Sequence, residues 1–104
     1  KRRTIRFHMP QEVEPIVLMD IDQLIIGRQS GDNHLDLSLQ YANMLGVSRN
    51  HAQISYANGN YYIEDLDSTN GTFLNNKKID KQAIQLESGD HLRLGHFVLI
   101  VNFS

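Results

Sequence analysis

Residues Gln53-Ile54-Ser55-Tyr56-Ala57-Asn58-Gly59-Asn60-Tyr61-Tyr62-Ile63-Glu64-Asp65-Leu66 read as two strands joined by a tight turn. Gln53 to Tyr56 alternates polar and apolar side chains, the period of a strand with one face buried and one wet. Tyr61 to Leu66 supplies the partner strand. Asn58-Gly59 lies between them, and a two-residue hairpin turn needs the positive φ that these residues tolerate. The apolar period is therefore two, not 3.6.

The same period recurs on both sides of this hairpin. Thr4-Ile5-Arg6-Phe7-His8, Gln82 to Leu86 and His91-Leu92-Arg93-Leu94 all alternate. Leu24-Ile25-Ile26 and Phe97-Val98-Leu99-Ile100-Val101 are continuous apolar runs, suited to central strands. Asn75-Asn76 precedes another short strand, and Ser88-Gly89-Asp90 separates two more. Short strands with regular turn residues predict an all-β fold. The form expected is a two-sheet antiparallel β-sandwich of about eleven short strands. Only Leu39 to Leu45 has room for a helical turn. Gln29 to Asn50, broken at Leu35-Asp36-Leu37, and Asp67 to Gly71 are the long polar connections, where function concentrates.

With 104 residues, the chain is expected to form one domain over 1–104. It begins at Lys1 rather than Met, which suggests a domain cut from a longer protein. The net charge is -2 at pH 7, with 10 Lys and Arg against 12 Asp and Glu. That balance argues against a general polyanion binder. With no aromatic stacking platform in a basic setting, nucleic acid is not the expected partner either. Lys1, Arg2, Arg3 and Arg6 make a basic start, read as a solvated tail. Cysteine is absent, so disulfides and thiol chemistry are excluded and a reducing, cytoplasmic compartment is expected. No apolar run approaches the ~20 residues of a membrane span. His8, His34, His51, His91 and His96 are scattered without close ligand pairs, so neither a metal nor a cofactor is expected.

Three polar segments sit at strand ends and so could meet at one rim of the sandwich. They are Gly27-Arg28; Gly46-Val47-Ser48-Arg49-Asn50-His51-Ala52; and Asp67-Ser68-Thr69-Asn70-Gly71-Thr72. Together they offer guanidinium, hydroxyl, carboxamide and loop N–H donors, a set complementary to phosphate. Arg adds a planar fork that matches two phosphate oxygens.

In order and spacing, Gly27-Arg28, Ser48-x-x-His51 and Asn70-Gly71 resemble the signature of forkhead-associated (FHA) domains. The resemblance covers nearly the whole chain and implies a phosphothreonine-dependent protein–protein interaction module. By resemblance, Arg28 and Ser48 contact the phosphate and Arg49 reaches the phosphate or the peptide backbone. Thr69 helps hold the phosphothreonine, and Asn70 bonds the peptide main chain. Gly27, His51 and Gly71 support the site structurally. The implied partner is a threonine-phosphorylated protein or peptide, bound by an isolated domain that is itself monomeric.

Two other readings compete with this one. Ser48, His51 and Asp67 contain the residue types of a hydrolase triad, but the nucleophile-elbow pattern is absent, so no catalytic residue is assigned. A phosphate-independent adaptor would use a sheet face or the loop Tyr41-Ala42-Asn43-Met44-Leu45-Gly46, and would have no need of Arg28, Ser48 and Asn70.

Overall fold

The computed structural model describes residues 2–40 and 42–104. Lys1, placed above in the basic start, and Tyr41, placed in the 41–46 loop, lie outside the described residues. In chain order the strands are β1 (Thr4–His8), β2 (Ile16–Met19), β3 (Gln23–Gly27), β4 (His34–Asp36), β5 (Asn50–Ala57), β6 (Asn60–Asp65), β7 (Thr72–Leu74), β8 (Lys77–Ile79), β9 (Ile84–Gln85), β10 (Asp90–Leu94) and β11 (Phe97–Phe103). One 3-10 turn, Ser38–Gln40, overlaps only the start of the stretch Leu39 to Leu45 expected to hold a helical turn.

Six strands form one sheet, in the order β2-β1-β11-β10-β7-β8, and five form the other, β4-β3-β5-β6-β9. The quoted hairpin is β5–β6, in register from Ala52 opposite Asp65 to Ala57 opposite Asn60. Asn58 and Gly59 both have positive φ, at 53° and 83°. Asn75 and Asn76, at 50° and 70°, turn β7 into β8 in the same way. One pair departs from the antiparallel rule: β4 runs parallel to β3, with Ile26 opposite Leu35.

The strand period sorts the side chains. Ile5 and Phe7, Leu24 and Ile26, Ile54, Ile63, Leu92, Leu94 and Leu99 are buried in one core shared by the two sheets. Burying a side chain of this size contributes about 1.5–3 kcal/mol. Among the described residues, no helix is long and apolar enough to cross a membrane.

The basic start is not a loose tail at Arg2 and Arg3. Arg3 donates to the Ile21 carbonyl (2.8 Å) and to Asp22 (2.7 Å), and its guanidinium lies 3.8 Å from the centre of the Tyr56 ring. Arg2 pairs with Asp20 at 2.9 Å. The carboxylates of the β2–β3 turn supply partners that a reading of charge along the chain does not bring together.

Candidate functional site

The three polar segments meet at one end of the sandwich, and hydrogen bonds join each to the next. The meeting begins at Gly27. There β3 and β5 slip register between Ile26 and Gly27. A Cβ on Gly27 would lie 2.1 Å from the Arg49 carbonyl oxygen, so only glycine lets the two strands approach so closely. The next residue, Arg28, donates its backbone N–H to that carbonyl at 2.9 Å. Its Nε donates to the Val47 carbonyl at 2.7 Å. The side chain is thereby tied down at Nε, with its terminal nitrogens beyond the anchor. Among the described residues neither Arg28 nor Arg49 forms an ion pair.

Ser48 sits between two partners. Its backbone N–H donates to His51 Nδ1 at 2.9 Å, and its Oγ accepts the Thr69 N–H at 3.1 Å. Because Oγ is an acceptor there, its own proton remains free to donate outward. Asn70 closes the rim from the other side, its Nδ2 donating to the Gly46 carbonyl at 3.0 Å. Arg49, Thr69 and Asn70 are exposed at this rim, and Arg28 and Ser48 are half-buried.

His51 is fully buried beneath these loops. Since Nδ1 accepts from Ser48, the proton belongs on Nε2, which donates to the Gly71 carbonyl at 2.8 Å. Burial pushes its pKa below the ordinary imidazole value, against the opposing pull of the Gly71 carbonyl and Asp65. A neutral His51 thus ties the Ser48 loop to the Gly71 loop. Ser48 and His51 meet through the Ser48 backbone, not its hydroxyl, so no nucleophile–base pair forms between them.

Two organising residues escaped the sequence reading. Asp65, almost fully buried at the end of β6, accepts from the Ser68 hydroxyl (2.6 Å), the Thr72 hydroxyl (2.7 Å) and the Ser68 N–H (3.0 Å). Burial pushes its pKa up, but the bonds from Ser68 and Thr72, with His51 nearby, outweigh it and leave the carboxyl below its ordinary value. Ser68 Oγ then accepts the Gly71 N–H at 3.0 Å. The Asp65-x-x-Ser68 spacing was the available signal, a carboxylate capping the N–H three residues on. The second is Gly95, in the β10–β11 turn. It donates to the Gly71 carbonyl at 2.9 Å, and a Cβ there would meet the Gly46 carbonyl oxygen at 2.7 Å.

Anchored guanidinium, free hydroxyl and carboxamide side by side at a rim suit an anion with several oxygens. The FHA domain family model matches residues 24–95. The chain belongs to the FHA domain family. It is 46% identical over 56 residues to the FHA domain-containing protein FhaA of Mycobacterium tuberculosis, covering 54% of this chain and 10% of that protein. It is 40% identical over 60 residues to an FHA domain-containing protein of Arabidopsis thaliana, covering 56% of this chain and 16% of that protein. The chain thus spans a sixth or less of the length of these curated relatives. Among solved structures it resembles one from a structural and functional analysis of phosphothreonine-dependent FHA domain interactions. There the TM-score is 0.72 and the identity 32%, with 95% of each chain covered. It also resembles Mycobacterium tuberculosis EmbR in complex with a low-affinity phosphopeptide. That match has a TM-score of 0.74 and 29% identity, covering 95% of this chain and 24% of that one.

Proposed function

We propose that this domain is a phosphothreonine-dependent interaction module, binding phosphorylated segments of partner proteins at the rim formed by Arg28, Ser48, Arg49, Thr69 and Asn70. One observation carries the proposal: hydrogen bonds among the three loops hold Arg28, Ser48, Thr69 and Asn70 at one rim, and Arg28 has no carboxylate partner among the described residues. Preorganised donors bind without the cost of ordering them. Arg28 and Ser48 take the phosphate oxygens, Arg49 the phosphate or the peptide backbone, Thr69 helps hold the phosphothreonine, and Asn70 takes the peptide main chain. Gly27, His51 and Gly71 hold the loops. The role is recognition without catalysis, by a monomeric unit that acts as one domain of a longer cytoplasmic protein.

The test is calorimetry with a phosphothreonine peptide and its unphosphorylated twin. Only the phosphorylated peptide is expected to bind. Each charge-assisted bond from Arg28 is worth roughly 1.5–3 kcal/mol, so Arg28→Ala should weaken binding by about tenfold to more than a hundredfold. Arg28→Lys should recover little, because an ammonium cannot hold the Val47 carbonyl and fork onto phosphate together. Equal affinity for the two peptides would replace this function with the phosphate-independent adaptor.

A further inference from the structure

The chain as a whole is acidic, but one face of it is not. The strands of the six-stranded sheet contain a single acidic residue, Asp90. Asp90 has the inward parity of Leu92 and Leu94, and its carboxylate is taken up by Asn75 and the Glu87 N–H. On the outward parity stand Arg6, His8, His91, Arg93 and Lys78. The chain has 12 Asp and Glu against 10 Lys and Arg, so a face with cations and no outward carboxylate is a marked local excess.

This face is continuous with the rim. Lys78 on β8 lies opposite Phe73 on β7, and Phe73 opposite Arg93 on β10. The Lys78 stem passes close beneath Gly71, its Cε 3.2 Å from where a Cβ on Gly71 would be, and the Phe73 ring lies equally near. Arg93 stacks over that ring at 3.9 Å and donates to the Gly95 carbonyl at 2.8 Å. Gly71 follows Asn70, and Gly95 is bonded to Gly71. Lys78, Phe73 and Arg93 therefore form a basic and aromatic strip that starts one residue from the rim. Lys78 is exposed. Of the carboxylates in the flanking loops, Asp67 pairs with Lys81 at 3.7 Å and Asp80 accepts the Gln82 N–H.

We propose that this strip reads the segment flanking the phosphothreonine and selects acidic side chains in it. The inference rests on the phosphothreonine reading of the rim and names the ligand more closely: a phosphothreonine peptide with carboxylates on one flank. Charge complementarity and continuity with the rim fix that occupant. From β8 to β10 is two strand spacings, roughly 10 Å, which an extended peptide crosses in about three residues. The ammonium of Lys78 meets a carboxylate, while the outer N–H groups of Arg93, held flat on Phe73, meet a second.

The experiment uses three phosphothreonine peptides: glutamates at three positions on the N-terminal flank, the same on the C-terminal flank, and glutamines on both. Exposed charge pairs are each worth little, so the favoured acidic flank should tighten binding by about three- to tenfold over glutamine. The gain should shrink as salt rises. In Lys78→Gln combined with Arg93→Gln, the ratio of acidic-flank to glutamine-flank affinity should fall to near one. In Lys77→Gln, whose side chain has the opposite parity on β8, the ratio should stay as in the parent. Phosphate-dependent binding with no flank preference, or a preference that survives the double substitution, overturns the inference alone. Failure of every phosphothreonine peptide to bind overturns the reading of the rim and this one with it. Displacement of the acidic-flank peptide by a single-stranded oligonucleotide, lost in the double variant, would assign the strip to nucleic acid instead.

Discussion

His51 shows how one buried side chain sets the working range of the site. Its tautomer is fixed by what it touches: Nδ1 receives the Ser48 N–H and Nε2 gives its proton to Gly71. A second proton on Nδ1 would face the Ser48 N–H and break the tie between the two loops. The folded pKa is depressed by burial, so the fold favours the neutral ring. Above about pH 6.5, the unfolded value, both states are neutral and the full stability is present. Below it the unfolded chain takes up a proton that the fold refuses. Stability is then lost as pH falls toward the folded pKa, by up to ~1.4 kcal/mol per pH unit. A pH series of melting temperatures from 8 to 5 should show this decline beginning near 6.5, and His51→Gln should flatten it. At neutral pH, His51→Ala should cost about 3 kcal/mol through the two lost bonds and weaken phosphopeptide binding only indirectly. An unchanged melting temperature in His51→Ala with abolished binding would instead make His51 a ligand contact.

At the scale of elements, the site depends on two strands passing closer than side chains allow. Gly27→Ala places a methyl 2.1 Å from a backbone oxygen, and backbone cannot swing aside as a side-chain end does. The variant should lose about 3 kcal/mol or more in urea unfolding, and its affinity for phosphopeptide should fall as the Arg28–Arg49 contact opens. Gly59→Ala is the control. Nothing lies within 4 Å of its added methyl, though its φ is +83°, so it should cost only the ~1–2 kcal/mol of left-handed backbone. Equal costs at the two glycines would remove the close approach as the reason for Gly27. The same elements show what a sequence makes visible. β1, β5, β6 and β10 were legible through alternation and flanking turn residues, and β3 and β11 as continuous apolar runs, all of them local signals. Ile16-Val17-Leu18-Met19 was not, because it is an edge strand whose place is set by its pairing with β1 alone. β4 overlaps the break at Leu35-Asp36-Leu37 in a polar stretch, but its parallel partner is set by the whole sheet. In the alternating run Gln82 to Leu86, only Ile84 and Gln85 pair, since β9 is an edge strand with one neighbour. At the site, the donor residues were readable as motifs, whereas Asp65 and Gly95 act through contacts that only the folded loops create.

The sandwich as a whole separates the donor rim from Thr4 and Ser104. β11 begins beside the rim, where the His96 N–H meets the Leu45 carbonyl, and runs for 7 residues to Phe103. At ~3.3 Å per residue that is roughly 23 Å. At its far end Ser104 and Thr4 bond each other through N–H and carbonyl at 3.1 and 3.4 Å, close to the β5–β6 turn. Thr4 and Ser104 thus lie together at the pole opposite the donors. A group joined at that pole would meet neither Arg28 nor Asn70, and the loops it would have to disturb are held by bonds within the rim. A folded partner domain fused after Ser104 through a short flexible linker should therefore leave the phosphopeptide dissociation constant within about twofold of the unfused domain, a change of ~0.4 kcal/mol. The same domain inserted between Asn43 and Met44, beside the rim, should weaken binding severely while the sandwich still melts cooperatively. Calorimetry on both fusions, against one peptide at one salt concentration, reads the difference directly. A loss of affinity in the Ser104 fusion equal to that of the insertion would mean that the rim and the chain ends are not independent.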